Sequence, residues 1–409
     1  MVNVLNSWRH VSLSELVSFH KGGTLSKMDL AESGIPCVLY GELYTRYGEV
    51  TNRIHSRCSA VLHELTLSKE EDVLLPSSGE TPEEMAKATC VTIADVGIGG
   101  DIIIARPKPG ASGRFISYQL NHTLVNQVAS IAQGNAIVHL NAGRLASIQT
   151  VAPGEAEQRT IAEVLSGFDE HLANLDELIT KKKAIRDGAL EELVSKDTHR
   201  QHESTATSWT STLIGDFAEI KRGASPRPID SYLTESPDGI NWIKIGDAPK
   251  GGTYISQTGE RITHEGAASS VQVNPGDLIL SNSMSFGRPY ILQTSGCIHD
   301  GWLSLQNFSN HADALYLLYL LSSKSVKLQY SAFAAGSGVK NLKKEVVRKV
   351  RVDLPPLVEQ REIAEVLSGM DEEIRLLAEE RAKVERLKLG AMDDLLTGRV
   401  RLPLEEEAA

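Results

Sequence analysis

Five stretches gather the side chains that suit a polyanionic ligand. Tyr44, Arg46 and Tyr47 follow an apolar run and Gly41, and Arg53 and Arg57 come soon after. Arg106, Lys108 and Arg114 lie in a segment rich in glycine and proline. In the second half, Lys221, Arg222 and Arg227 surround Gly223 and Pro226 in a basic turn, and Arg288 follows Phe286 and Gly287 in another. Lys340, Asn341, Lys343 and Lys344 crowd into one further stretch. Lysine in a loop suits phosphate, whereas arginine and asparagine carry paired groups that can read a base edge. A generic surface loop explains any one of these equally well. Trp242 and Trp302 are expected in the core instead.

No enzymatic motif stands beside these groups. The chain has no GxxxxGK[ST] loop. DVGIGGD at 95–101 lacks the strand and helix of a dinucleotide site and reads as a turn. Asp353-Leu354-Pro355-Pro356 resembles the [DN]PP[FY] loop of amino-methyltransferases, but Leu357 follows and the segment runs into a helix start. Pro237-Asp238 with Lys244 lacks the middle carboxylate of a nuclease site, and 236–239 is a good turn by itself. The 12 histidines are dispersed, with no HExxH. Cys37, Cys58, Cys90 and Cys297 include no CxxC pair, so free thiols are expected rather than a zinc site or disulfides. With no secretory leader and no run of about 18 apolar residues, a cytoplasmic protein without a membrane partner is expected.

A net charge of −11 argues at first against nucleic acid. Its distribution reverses that argument. Residues 197–355 hold 16 Lys+Arg against 15 Asp+Glu, while 156–196 and 356–409 together hold 14 against 23. The acid sits on two particular segments.

Those segments are the elements that must position the loops. Residues 157–170 read EQRTIAEVLSGFDE, and 202 positions later 359–372 read EQREIAEVLSGMDE, identical at twelve of fourteen positions. A period near half the chain length means a duplicated unit. Ile161, Leu165, Phe168, Leu172, Leu175 and Ile179 recur at alternating spacings of four and three, and Ile363, Leu367, Met370, Ile374 and Leu377 repeat the pattern. This is a heptad seam on a helix of about 39 residues, or about 58 Å, and so narrow a stripe wants a partner helix. Pro355-Pro356 and the acids after it suit a helix start, and Thr397-Gly398 suits a stop. Gly167, Gly188, Gly369 and Gly390 interrupt the helices at matched positions, each costing about 1 kcal/mol against alanine. Of two explanations, inherited defects or close approach of a neighbouring helix, the second is expected.

Ahead of each helix lies a unit of short strands and turns. Trp8 opens the first and Trp209 the second, after a polar linker at 195–212. DVLLP at 72–76 resembles DLILS at 277–281, and 315–322 is placed opposite a short helix expected at 124–132. The interiors between these anchors share little.

Two unlike units, each followed by a near-identical helix introduced in its second copy by LPPLVEQREIAEVLSGMDE, resemble the specificity (S) subunit of a type I restriction–modification enzyme. The resemblance covers the whole chain. It implies an α+β protein with two mixed α/β target recognition domains separated by two long helices, which pair as an antiparallel coiled coil with a pseudo-twofold internal duplication. The expected division is 1–153 for the first recognition domain and 154–196 for the first spacer helix. Residues 197–354 form the linker and second recognition domain, 355–400 the second helix, and 401–409 an acidic tail. The resemblance further implies double-stranded DNA as ligand, with an asymmetric bipartite target. It also implies two modification (M) subunits carrying S-adenosylmethionine, and restriction (R) subunits carrying ATP and Mg2+, with no cofactor and no catalytic residue on this chain. An adaptor with protein-binding heads, or a stand-alone nuclease, is the alternative.

Overall fold

The computed structural model describes residues 8–134, 138–195, 208–249, 251–282, 287–334 and 341–403. Two compact units emerge, Met1–Asp176 with Glu379–Ala409, and Glu177–Ala378. Neither follows a single stretch of sequence. Each takes one sheet-bearing part and one half of each long helix.

In the first unit, Arg9–Ser12 pairs antiparallel with Gln149–Ala152, the strand that leads into the long helix. The main sheet has five strands, in the order Val17–Lys21, Ile102–Pro107, Asp72–Pro76, Thr89–Val91, Val50–Thr51. Asp72–Pro76 is buried throughout because one face packs on helix Gly113–Asn121 and the other on a smaller sheet. That explains the uninterrupted apolar run VLL, since a strand covered on both faces loses the in–out alternation. The smaller sheet runs Gly97–Ile98, Ile35–Val38, Ser56–Cys58, Leu30–Ala31.

The second unit repeats this plan. Thr210–Leu213 pairs with Arg351–Leu354. The five-stranded sheet runs Glu219–Arg222, Trp302–Gln306, Leu278–Ser281, Pro289–Leu292, Tyr254–Ile255, and the smaller one Glu260–Ile262, Ile240–Ile243, Gly296–Ile298, Val271–Val273. Trp242 and Trp302 are buried as expected, and all four cysteines are buried free thiols. One correspondence drawn from sequence changes. Helix Ala314–Ser322 does not match the short helix at Val125–Ile131; it occupies the place of Gly113–Asn121, and both lead with a side-chain cap, Ser112 and Asp313. The Gly113–Asn121 stretch carries Ser117, Gln119 and Asn121 among its apolar residues, so its helical stripe is poorly marked.

The long helices span Glu155–Leu193 and Leu357–Leu395, 39 residues each. Within each unit the halves run antiparallel. Asp169 meets Lys388 at 2.5 Å and Asp176 meets Arg381 at 2.7 Å in the first, while Arg186 meets Asp371 at 2.7 Å and Lys182 meets Glu373 at 2.6 Å in the second. The seam has two jobs. Ile161 and Leu165, like Ile363 and Leu367, are buried in the core of their own unit's globular part, along with Met392 and Leu395 or Leu190 and Val194 of the opposite helix. Leu175 and Ile179 are also buried, whereas Phe168, Leu172, Met370, Ile374 and Leu377 are half-buried. The second helix stops at Gly398, whose φ of +70° is left-handed.

The helical glycines overturn an expectation. A Cβ at Gly167, Gly188, Gly369 or Gly390 would meet nothing of the described residues within 4 Å. Among the described residues no neighbouring backbone approaches them, and all four are exposed. Gly167→Ala and Gly390→Ala are therefore each expected to raise the stability of the isolated chain by about 0.5–1 kcal/mol. Urea unfolding checks this, and a lowered midpoint would contradict the open surroundings.

Candidate nucleic-acid interface

One end of the five-stranded sheet collects most of the second unit's candidates. Register puts Arg222 opposite Leu303 and Ser281 opposite Trp302, so two strands end where a third begins. Four chain segments converge there: the turn after Arg222, Asn282, the 299–301 turn and Asn341–Leu342, the last tied by Leu342 N–H to the Asn282 carbonyl at 2.8 Å. The approach is too tight for a side chain at Gly223, where a Cβ would lie 2.1 Å from the His299 carbonyl oxygen.

Asp300 is the hub of this end. Its carboxylate accepts from Ser225 Oγ at 3.1 Å, lies 2.9 Å from His299 Nε2 and faces Arg227 Nη2 at 3.6 Å. Its backbone carbonyl accepts from Asn282 Nδ2 at 2.7 Å and Arg222 Nε at 3.4 Å. Arg227 reaches outward, its side chain 81% exposed. Arg288 belongs to the same end but lies over the Tyr290 ring at 5.1 Å. Lys221 is turned back along its strand to Glu219 and Gln306, at 3.0 and 3.2 Å. Asn341, Lys343 and Lys344 are exposed, whereas Lys340 falls outside the described residues.

The first unit builds its corresponding end from other groups. Gly22 N–H bonds the Ile102 carbonyl as Gly223 N–H bonds that of Trp302, and Ser77 N–H bonds the Asp101 carbonyl as Asn282 N–H bonds that of Gly301. Ser77, Gly99 and Gly100 thus stand where the second unit has Asn282, His299 and Asp300. Tyr40 and Tyr44 approach one another, ring centroids 6.5 Å apart, and Ser78 Oγ bonds His139 Nδ1 at 3.1 Å. Burial raises the Tyr44 hydroxyl pKa, with the Tyr40, Glu84 and Glu80 charges adding to the effect.

The remaining candidates are dispersed. Arg46 pairs with Glu42 at 3.3 Å, Tyr47 lies against the His55 ring, and Arg53 is exposed just past Val50–Thr51. Arg106 and Arg114 lie at the opposite end of the sheet. Arg106 donates two hydrogen bonds to the carboxylate of the fully buried Asp72, at 2.9 and 2.7 Å, and Arg114 faces Glu71 at 3.6 Å. Gln306 bonds Asp277 at the matching place in the second unit, which marks the Arg106 contact as part of the duplicated scaffold.

That opposite end fastens the sheet to the repeat. Gln158, fully buried, accepts from Ser112 N–H at 3.0 Å and donates to the Pro153 carbonyl at 2.9 Å. Gln360 does the same with Asp313 N–H and the Pro355 carbonyl, both at 2.8 Å, and adds the His311 carbonyl at 2.9 Å. Asp169 accepts from Tyr118 Oη at 2.5 Å and meets Lys388; Asp371 accepts from Tyr319 Oη at 2.8 Å and meets Arg186. Burial and the Glu49 charge push the Asp169 carboxyl above its ordinary range, against the pull of Lys388. Glu49 also holds Lys388 at 3.0 Å. Asp169 lies off the apolar seam, and its role needs the tyrosine and the lysine brought beside it.

Asn282, His299, Asp300, Tyr40 and His139 lie outside the basic clusters that mark the sequence. Extending the DVLLP/DLILS alignment by one residue exposes Ser77 against Asn282, the one signal available.

Residues 207–386 match the family described as type I restriction modification DNA specificity domain. Two proteins of Methanocaldococcus jannaschii, named as the MjaX and MjaVIII type I restriction enzyme specificity subunits, are 25% and 23% identical over 317 and 306 residues. These matches cover 74% and 70% of this chain, and 72% and 70% of the relatives. Over most of its length the chain is similar to type I restriction enzyme specificity subunits. The crystal structure of the type I S subunit from M. genitalium shares the fold, with a TM-score of 0.60 at 16% identity, covering 95% of this chain and 96% of that one. A structure described for complex assembly and conformational transition of the type I R-M system gives 0.61 at 18%, covering 96% and 98%.

In this specificity-subunit fold the glutamine clasp is expected to be structural. Gln360→Leu leaves Asp313 N–H and the Pro355 carbonyl unpaired in the interior and is expected to cost about 2–4 kcal/mol. Denaturant unfolding measures it, and an unchanged midpoint would remove the clasp from the account.

Proposed function

We propose that this chain is the sequence-reading, non-catalytic subunit of a cytoplasmic type I restriction–modification complex, and that its two units read the two halves of an asymmetric, split DNA target. The observation that carries this reading is the contrast at matched sheet ends: one scaffold built twice, with Asn282, His299 and Asp300 on one copy and Ser77, Gly99 and Gly100 on the other. Unlike tips on like scaffolds suit unlike half-sites. Each paired side chain–base contact contributes about 1–3 kcal/mol of discrimination, so several are needed per half-site. Heads on one face of the duplex suit half-sites centred roughly one helical turn apart. Chemistry is assigned to partners, S-adenosylmethionine to two M subunits and ATP with Mg2+ to the R subunits, with N6-adenine methylation as the modification.

The same reading gives the outward glycines a purpose. Val164 and Gly167 stand three residues apart on one helix, and Leu387 and Gly390 do so on the other; Val366 with Gly369 and Ile185 with Gly188 repeat the arrangement in the second unit. Residues three apart share a helix face. All four apolar members are exposed, Val366 at 49% and Leu387 at 52%. An apolar side chain beside a bare backbone suits a helix of another chain, and we assign these faces to the M subunits.

Replacing residues 209–335 by the corresponding segment of another specificity subunit is expected to change one half-site of the methylated motif and leave the other. Single-molecule methylome sequencing reads this directly; a change in both halves would refute the modular reading. For the helix faces, Val164→Glu with Val366→Glu is expected to lower M-subunit co-purification at least about tenfold, the effect of 1.4 kcal/mol, without shifting the unfolding midpoint. Unchanged co-purification would exclude these faces.

A further inference from the structure

We propose that Arg227, oriented by Asp300, reads a guanine in the half-site bound by the second unit. This rests on the DNA-reading role proposed above and names the residue that supplies part of its specificity.

The geometry separates Arg227 from the other arginines, and from Lys221, at that end. Arg222 donates its Nε to the Asp300 carbonyl, Arg288 lies over Tyr290, and Lys221 is held by Glu219 and Gln306. Arg227 presents an 81% exposed side chain with one edge of its fork 3.6 Å from Asp300 Oδ2. A guanidinium has two usable edges. With one turned to a carboxylate, the other is aimed as a pair of parallel donors, which matches the O6 and N7 acceptors of guanine in the major groove.

Asp300 itself argues for reading over simple phosphate attraction. An unpaired carboxylate on a DNA-facing surface repels the backbone, and an exposed ion pair contributes little to folding. Here the carboxylate is fixed by Ser225 and His299 as well, at 3.1 and 2.9 Å, and its turn is pinned by the close approach at Gly223. A fixed carboxylate limits the rotamers of a long side chain before DNA arrives, which lowers the entropy lost on binding. Asp300 is thus a positioning residue, and Arg227 the contacting one. The first unit has Gly100 in place of Asp300, so it cannot orient an arginine in this way.

The test uses the complete complex with its M subunits, selecting bound duplexes from a pool randomised across the target, for wild type, Arg227→Ala, Arg227→Lys and Asp300→Asn. Arg227→Ala is expected to abolish a guanine preference of about ten- to hundred-fold at one position of the second unit's half-site. Arg227→Lys should restore affinity without restoring the preference, because lysine lacks the fork. Asp300→Asn should weaken the preference at that same position and no other. If Arg227→Ala instead weakens all duplexes equally and lowers the salt slope by about one contact, Arg227 binds phosphate and the proposal is overturned while DNA reading stands. A wild-type complex whose selected sequence does not depend on residues 209–335 would overturn both.

Discussion

A buried glutamine amide at the root of each long helix is the constraint from which the rest of the architecture follows. Gln158 and Gln360 are shut off from solvent, so every polar atom they carry must be satisfied by protein. Each takes the N–H of the residue that caps a helix lying against the main sheet and returns donors to carbonyls just past the last strand. Helix, sheet and spacer are thereby tied at one point. Only a neutral group with both donor and acceptor serves there; a glutamate would lack the donors and a leucine both. The adjoining apolar residues, Ile161 and Leu165 or Ile363 and Leu367, seal the junction from water.

Charge follows the same division. The acidic excess of the chain lies on the helices, where part of it is used internally: Asp169 and Asp371 each hold a tyrosine from the globular part and a cation from the opposite helix. The two cations, Lys388 and Arg186, occupy equivalent places 202 residues apart, so the duplicated helices exchange equivalent ion pairs. Arg222, Arg227 and Arg288 of the second unit sit at the far end of its sheet, away from that acid. A negative total therefore coexists with a local cluster of arginines.

Legibility was uneven for physical reasons. The long helices were plain, since a heptad seam over 39 residues leaves no competing pattern. The strand anchors DVLLP and DLILS were plain too, and proved to be matching central strands of the two five-stranded sheets. Gly113–Asn121 was missed because polar residues interrupt its stripe; Ser117 and Gln119 are buried only because backbone carbonyls accept from them. Among the loop cations, type and neighbourhood could not separate Arg227 from Arg106. One faces outward and the other is locked onto Asp72, a difference made by residues 73 and 34 positions away along the chain.

What the sequence determined alone is the architecture that depends on local periodicity: a duplicated chain, two long amphipathic helices with the start and stop of the second, and two unlike strand-rich units. These rest on interactions within a few residues, or on a repeat visible in one dimension. Tertiary structure alone decided which glycines meet a neighbour, which arginines are spent on the scaffold and which carboxylate faces Arg227. Those outcomes depend on atoms meeting within 3–4 Å across long stretches of chain, and the close packing that brings Asp300 to Arg227 leaves no mark in the spacing of either.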